Sequence, residues 1–188
     1  RDGKGSFVDR FRAYLEGRYA DREVVAVGRT TVVKPTGSQI VVAKCGKGGD
    51  NTNGAVKRLD DEVLARDPDL VIILFGANDE NRRGTTRQNM VPPATYQANL
   101  VTLVDRCRQA GAAVILLTPA MKNREWSSTV GNMAAYAAAV RRVGTARGAC
   151  VVDSYQVWED LRRRTEGGDG IARSTIPRLR LTRPRTWP

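Results

Sequence analysis

Short apolar runs and helical apolar patterns alternate along this chain. β-branched and aliphatic residues cluster in five segments, which predict strands: Glu23–Val33, Ile40–Ala43, Asp69–Phe75, Ala113–Leu117 and Ala149–Val152. The third of these segments is almost continuously apolar, so we expect its strand to be buried on both faces.

Around these segments, apolar residues recur at the spacing of amphipathic helices. Ser6 is placed to cap the first helix, and Gly111 and Gly148 are placed to end the third and the fourth. The apolar positions that mark the five helices are Phe7, Val8, Phe11, Tyr14 and Leu15; Val56, Leu59, Val63 and Leu64; Tyr96, Leu100, Leu103, Val104 and Cys107; Met133, Tyr136, Ala137, Val140 and Val143; and Val157, Trp158 and Leu161. Strands that alternate with such helices predict an α/β fold with a parallel sheet covered on both faces.

Length and composition favour a single domain. The 188 residues are enough for a hydrophobic core of ordinary size. The longest apolar runs, Leu70–Phe75 and Ala112–Leu117, are far shorter than the roughly 20 residues that a membrane-spanning helix needs. We therefore expect no membrane span, a domain over residues 1–170 and a basic tail over residues 171–188.

The net charge is strongly basic but unevenly distributed. Lys and Arg total 31 against 20 Asp and Glu, which gives +11. The tail Ile171–Pro188 holds five arginines and no acid, so the rest of the chain carries +6. Nucleic-acid binding through Arg173–Pro188 is one interpretation, but it ranks last because Trp187 is the only aromatic residue there. A solvated basic surface is preferred, with the tail either disordered or translated out of frame from GC-rich DNA.

Histidine is absent from the 188 residues, which excludes Ser-His, Cys-His and His-metal chemistry among them. The three cysteines, Cys45, Cys107 and Cys150, cannot all pair within one chain, and no Cys-x-x-Cys spacing occurs. We expect no metal site and expect each cysteine to pack as a small buried hydrophobic residue.

Two loops at the carboxyl ends of predicted strands are candidates for chemistry, because ligands of open parallel sheets bind there. The loop Gly46–Gly54 exposes backbone N–H groups before a helix, which suits a phosphate or an oxyanion, although its spacing fits no phosphate-binding motif. The loop Gly76–Asp79 contains Asn78, whose amide can donate to a developing negative charge. Each loop taken alone also has the composition of an ordinary turn, and that is its preferred interpretation.

Taken together, the two loops resemble blocks of the SGNH hydrolase superfamily, the GDSL esterases and lipases. The run Gly46–Thr52, Gly-Lys-Gly-Gly-Asp-Asn-Thr, is similar to the family's second block G-x-S-G-D-x-T, with Gly48 in place of the usual Ser. The apolar strand followed by Gly76–Asp79 is similar to the third block, G-x-N-D. The strand before Thr118-Pro119 resembles the family's next strand, and the resemblance extends from about Ser6 to Ile171.

The resemblance implies a flavodoxin-like three-layer α/β/α sandwich that hydrolyses esters. In this family the Ser of a Gly-Asp-Ser block attacks the ester carbonyl, and an Asp and a His in an Asp-x-x-His block complete the triad. The Ser N–H, the block-two Gly and the block-three Asn form the oxyanion hole. Carried over by position, Gly49 and Asn78 are the oxyanion-hole residues and Asp169 is the triad Asp. The implied substrate is an acyl or acetyl ester, for example on a carbohydrate, with no metal and no organic cofactor.

The chain departs from the family in two blocks. It contains no Gly-Asp-Ser, and Ala172 stands where the His is expected. We expect the Gly-Asp-Ser block and the first strand of the sheet to lie upstream of Arg1, and a shifted reading frame or a divergent C-terminus near Ala172. No serine has an identifiable base partner; the serines are Ser6, Ser38, Ser127, Ser128, Ser154 and Ser174. The sequence therefore predicts an incomplete esterase that is inactive as written. The alternative is a non-catalytic module that binds an ester or a glycan, and the cellular compartment stays open.

Overall fold

The computed structural model describes residues 7–19, 24–27, 40–83, 88–120 and 132–166. The helices are α1 (Phe7–Arg18), α2 (Thr52–Glu62), α3 (Pro93–Gln109), α4 (Met133–Arg147) and α5 (Ser154–Glu166), with a short 3₁₀ helix at Leu64–Arg66. The strands are β1 (Val24–Val27), β2 (Ile40–Ala43), β3 (Leu70–Leu74), β4 (Arg82–Arg83), β5 (Gln88–Asn89), β6 (Ala113–Leu117) and β7 (Cys150–Val152).

The strands form a three-stranded parallel sheet and two smaller ladders. β3, β6 and β7 pair in this order, and both pairings are parallel. β1 and β2 form a separate parallel pair, and β4 pairs with β5 in antiparallel fashion. Within the described residues, β2 pairs only with β1, and β3 pairs only with β6, along one of its two edges. The predicted α/β fold with a parallel sheet is confirmed.

The hydrophobic core lies between the three-stranded sheet and the helices α2, α3 and α4. Helix α3 is central, because it packs against α2, α4 and β6. On the sheet, Ile73 pairs in register with Leu116, and both side chains are buried. The buried residues on the helices include Leu59, Tyr96, Leu100, Leu103, Val104, Cys107, Tyr136, Val140 and Val143. The apolar faces predicted for the third and fourth helices are thus confirmed.

The expectation that the strand at Asp69–Phe75 is buried on both faces is wrong. Ile73 is buried, but Leu70 is 43% exposed and Leu74 is 50% exposed. Alternate residues of a strand point to opposite faces of the sheet. Within the described ranges, the ends of the face that carries Leu70 and Leu74 are thus more exposed than the face of Ile73, which meets the core.

Two local expectations also change. Helix α2 begins at Thr52, inside the predicted loop, because the Asn51 side chain accepts a hydrogen bond from the Gly54 N–H (3.2 Å) and caps the helix. Cys107 is buried as expected, but Cys45 is only half-buried and Cys150 is exposed. Cys150 is exposed because it opens β7 on the face opposite Val151, which packs against the core.

The described residues all fall within the range 1–170 that the sequence predicts as one domain, and these bounds stay a prediction. The basic tail predicted for residues 171–188 lies outside the described residues. Among the residues that are described, no helix combines the length and the apolar character needed to cross a membrane.

Candidate functional site

The loops that follow β2 and β3 meet at the carboxyl ends of these strands. Gly49 lies in the turn after β2 with a φ of +77°, a left-handed conformation that glycine adopts without strain. The Asn78 side chain, after β3, donates through Nδ2 to the backbone oxygen of Asp50 at 2.7 Å. The structure thus brings Asn78 against the residue next to Gly49, as the family resemblance implies.

Arg58 on α2 holds the first loop in place. Its Nε donates to Oδ2 of Asp50 at 2.7 Å, and its guanidinium also donates to the backbone oxygen of Cys45 at 2.6 Å. Gly54 allows this approach, since a Cβ there would lie 2.0 Å from Oδ1 of Asp50. One helix residue therefore fixes both ends of the segment from Cys45 to Asp50.

The two cationic side chains at this loop, Lys47 within it and Arg58 on α2, are each paired with carboxylates. Lys47 forms an ion pair with Glu62, and Arg58 bridges Asp50 and Glu62. The hydrogen bond from Lys47, supported by Arg58, holds the pKa of Glu62 below its usual range. Because Lys47 and Arg58 are paired, neither offers an uncompensated charge to a phosphate, which weakens the phosphate-binding interpretation of the loop.

The second loop is held by buried polar groups. Gly76 has a φ of +124°, and its N–H donates to Oδ2 of Asp79 at 3.0 Å. The hydroxyl of Tyr96 donates to the backbone oxygen of Phe75 at 3.0 Å. Burial, with the charge of Asp79 adding to it, raises the pKa of Tyr96 above its usual value, so that this hydroxyl remains a donor. The carbonyl before the loop and the N–H at its start are both satisfied.

The two loops leave donors that suit a carbonyl oxygen or an oxyanion. A primary amide carries two N–H donors, and the Asn78 amide uses one of them on Asp50. The N–H of Gly49 has no acceptor within the described part of the chain. A backbone N–H and an amide N–H from adjacent loops are the groups that stabilise developing negative charge in acyl transfer.

Comparison with known families agrees with this geometry. The sequence profile of the GDSL-like Lipase/Acylhydrolase family matches residues 2–171. The chain belongs to this family. The match spans both loops and every described element of the fold. A search of curated proteins finds no match to the chain.

Solved structures share the fold of this GDSL-like chain at low sequence identity. A catalytic mutant of an acetylxylan esterase from Geobacillus stearothermophilus is 22% identical, with a TM-score of 0.62 over 85% of this chain and 68% of that chain. An α/β hydrolase from the metagenome of Lake Arreo, Spain, is 24% identical, with a TM-score of 0.63 over 86% of this chain and 72% of that chain. A lipase/acylhydrolase from Enterococcus faecalis is 27% identical, with a TM-score of 0.52 over 72% of this chain and 77% of that chain. Catalytic mutants of the Geobacillus esterase replace a Ser, an Asp or a His.

The residues carried over from the GDSL-like family fall into two groups. Gly49 and Asn78 lie on the two loops that the structure brings together. Asp169, the implied triad Asp, lies outside the described residues. Ser154 is the one serine of the described part, and its hydroxyl donates to the backbone oxygen of Thr118. Ser154 thus bonds to a carbonyl rather than to a base.

The carboxylate of Asp153, at the end of β7, has a structural role in this GDSL-like domain. Asp153 accepts two hydrogen bonds from Arg141, at 2.7 and 3.0 Å, and one from the N–H of Gln156 at 3.1 Å. It also accepts the hydroxyl of Thr118 at 3.0 Å. Asp153 therefore joins α4, α5 and the end of β6. Within the described residues, no cluster of metal-ligating side chains is found.

We expect Asp153 to make stability depend on pH. Its burial raises the pKa, but the bonds from Arg141, Gln156 and Thr118 outweigh this and lower the pKa overall. A lowered folded pKa stabilises the fold above the unfolded value of about 3.9, and this contribution is lost as the pH falls through the folded pKa. Urea unfolding should show Asp153→Asn less stable than wild type at about pH 7, with a difference that shrinks at about pH 3.

The control for this experiment is Asp160→Asn, because Asp160 lies on α5, the helix that Asp153 directly precedes, is exposed, and accepts from the neutral side chain of Gln156. It should change the stability little at either pH. A constant difference between Asp153→Asn and wild type across the pH range would contradict the role given to Asp153.

Sequence reasoning missed the residues that hold the loops together. Arg58 and Thr52 were not singled out, and Asp79 was treated as a turn residue. The signals in the sequence were the positions of Thr52 and Asp79 as the last residues of the two blocks, Gly46–Thr52 and Gly76–Asp79. Its burial and its bonds to a helix far away in sequence required the structure.

Proposed function

We propose that these 188 residues derive from the ester hydrolases of the GDSL-like lineage. As written, they bind an acyl ester through its carbonyl group but do not hydrolyse it. The observation that carries the proposal is the Asn78 amide, held 2.7 Å from the Asp50 oxygen beside the Gly49 turn. This pair of loops offers donors to a carbonyl oxygen. The acetylxylan esterases among the similar structures favour an acetyl ester on a carbohydrate as the ligand.

The chemistry of the residues present supports binding without turnover. Each donor aimed at an oxyanion contributes about 3–4 kcal/mol to transition-state stabilisation. When a serine triad is lost, only this contribution and substrate binding remain. The 188 residues contain no His to move a proton, and Ser154 donates to the Thr118 carbonyl. We therefore expect p-nitrophenyl acetate to give no burst of p-nitrophenol, because no acyl-enzyme forms, and any acceleration over buffer to stay within the residual effect of the oxyanion donors and binding.

A binding experiment tests the retained half of the site. Titration of ¹⁵N-labelled protein with acetylated xylobiose should shift the Gly49 N–H and the Asn78 side-chain amide resonances. Asn78→Ala should abolish the shift at Gly49, whereas Gln109→Ala, which removes an exposed amide at the end of α3, should not. Shifts that are absent, or that persist in Asn78→Ala, would contradict the proposal, and a burst of p-nitrophenol from p-nitrophenyl acetate, which reports an acyl-enzyme, would contradict its non-catalytic part.

The sequence of the encoding DNA distinguishes a misread esterase from a protein that never contained the two missing blocks. If reading upstream of Arg1 and in all three frames beyond Ile171 gives a Gly-Asp-Ser block and an Asp-x-x-His block, the chain is a misread esterase. The repaired protein should then hydrolyse p-nitrophenyl acetate, with Asp169 as the triad Asp. If neither block is encoded, the esterase assignment fails for this protein, and a non-catalytic binding module is the better description.

A further inference from the structure

We propose that Asp79 is a positioning residue that holds Asn78 against the turn containing Gly49 and Asp50. The inference rests on the proposed function, because Gly49 and Asn78 are the donors in question. Asp79 itself is fully buried, with 0% of its surface exposed, and so it acts on the site through Asn78 rather than by touching a ligand.

Both carboxylate oxygens of Asp79 are engaged by the two loops. Oδ1 accepts from the backbone N–H of Thr52 at 2.9 Å and from its hydroxyl at 2.5 Å. Oδ2 accepts from the N–H of Gly76 at 3.0 Å. One side chain therefore links the first residue of α2 to the start of the loop that carries Asn78.

Because Asp79 is buried, its hydrogen bonds to Thr52 and Gly76 strongly constrain the positions of the two loops. A buried carboxylate is costly unless donors satisfy it, and any motion that breaks a bond exposes this cost. The N-terminus of α2 also carries a partial positive charge that favours a carboxylate at Thr52. The amide of Asn99 on α3 donates to the Thr52 hydroxyl at 3.0 Å, so the link continues into the core helix.

The positions of the bonds explain why Asp79 orients Asn78. Asn78 bonds to Asp50, and its neighbour Asp79 bonds to Thr52, so two successive residues are attached to the same short segment. Two attachments prevent the rotation that a single hydrogen bond allows. Without the Asp79 carboxylate, the bond from Asn78 to Asp50 loses the neighbouring attachment to Thr52, and we expect the Asn78 amide to move away from Gly49.

The test measures the Asn78 bond directly in the unliganded protein. A scalar coupling across the hydrogen bond joins the Asn78 side-chain nitrogen to the carbonyl carbon of Asp50, and its presence reports the 2.7 Å contact. We expect Asp79→Asn to abolish this coupling. An NH₂ group replaces one carboxylate oxygen, so a donor then faces the N–H of Gly76 or of Thr52 and that hydrogen bond is lost. The matched control is Asp105→Asn, which removes a carboxylate that pairs with Arg147 away from the loops and should leave the coupling intact.

Thr52 provides a second pair of variants if Asp79→Asn does not fold. Thr52→Val removes the hydroxyl bond to Asp79 and should weaken or abolish the coupling. Thr52→Ser keeps the hydroxyl and should retain the coupling of the wild type. A lower melting temperature with an unchanged coupling, in either a folded Asp79→Asn or Thr52→Val, would reduce Asp79 to a purely structural residue and overturn the inference.

Acetylated xylobiose binding separates this inference from the function on which it rests. If the coupling responds as expected and the wild type binds no ester, the proposed function fails while Asp79 still positions Asn78. If the wild type binds through Asn78 and the coupling ignores Asp79 and Thr52, the positioning role fails and the proposed function stands.

Discussion

Replacing Tyr136 with alanine is expected to lower the free energy of unfolding by about 3–5 kcal/mol. The ring is fully buried between α4 and α3 and meets the ring of Tyr96 edge-on, with centroids 4.9 Å apart at 64°. The hydroxyl donates to the backbone oxygen of Val91 at 2.6 Å. Alanine leaves a cavity in the place of the ring and removes the hydroxyl that Val91 bonds to, so two costs add.

Two further variants separate the ring from the hydroxyl. Tyr136→Phe keeps the ring and removes one buried hydrogen bond, so it should cost about 1–3 kcal/mol. Tyr14→Ala removes a tyrosine that is 64% exposed and should change the stability by about 0.5 kcal/mol or less. Urea unfolding followed by circular dichroism measures all three. Equal costs for Tyr136→Phe and Tyr136→Ala would show that the ring contributes no packing.

The Tyr136 contact also bears on the site. Val91, whose oxygen accepts the hydroxyl, donates its own N–H to the backbone oxygen of Asp79 at 3.0 Å. The loop that carries Asn78 is therefore supported from the α4 side through Tyr136 and Val91. Tyr136→Phe should consequently broaden or shift the Asn78 side-chain amide resonance even where the fold is retained.

The sequence predicted the buried faces of α3 and α4 correctly, whereas Tyr14 on α1 and Trp158 on α5, also predicted on apolar faces, are 64% and 52% exposed. Along α3, Tyr96, Leu100, Leu103, Val104 and Cys107 fall on one face, and all five are buried. An amphipathic helix packs a single apolar face against the core, so the spacing of its apolar residues indicates which side is buried. The same reasoning holds for α4, which ends at Gly148 in a left-handed conformation.

Burial on the sheet was harder to predict, because a strand has two faces and each needs its own neighbour. The apolar run over β3 does not show whether a helix covers the side of Leu70 and Leu74, and both are half exposed. The expected first strand upstream of Arg1 stays a prediction. The described strands β2 and β3 each pair with a single neighbour.

Gly49 and Asn78 were predicted as oxyanion-hole residues from the order of the two loops and from the family resemblance, since neither loop is distinctive alone. The structure brings the two loops together, and the role of the two residues stays a prediction. The bonds that join the loops run from Asp79 to Thr52 and from Asn78 to Asp50, between residues 27 and 28 positions apart. A local pattern carries no information on such distant pairs. The role of Asp169 stays a prediction.

Gly76→Ala should destabilise the fold by about 2–5 kcal/mol and displace the site. Gly76 has a φ of +124°, which L-residues rarely adopt, so alanine strains the backbone. A Cβ there would also lie 2.9 Å from Cβ and Cγ of Pro119 and 3.3 Å from the hydroxyl oxygen of Tyr96. We expect the loop to shift to relieve these contacts. The Gly76 N–H then moves away from the Asp79 carboxylate, and Asn78, which directly precedes Asp79, is displaced as well.

Gly111→Ala distinguishes backbone strain from crowding at Gly76. Gly111 has a φ of +85°, and no atom beyond its two chain neighbours lies within 4 Å of the position that a Cβ would occupy, so its replacement carries strain alone and should cost about 1–3 kcal/mol. Urea unfolding of both variants gives the difference, which we attribute to Pro119 and Tyr96. Only Gly76→Ala should also lose the coupling between Asn78 and Asp50, because Gly111 lies after α3, away from both loops. Equal destabilisation by the two variants, with the coupling intact in both, would show that the loop tolerates a side chain at Gly76 and that the Gly76–Asp79 bond does not set the position of Asn78.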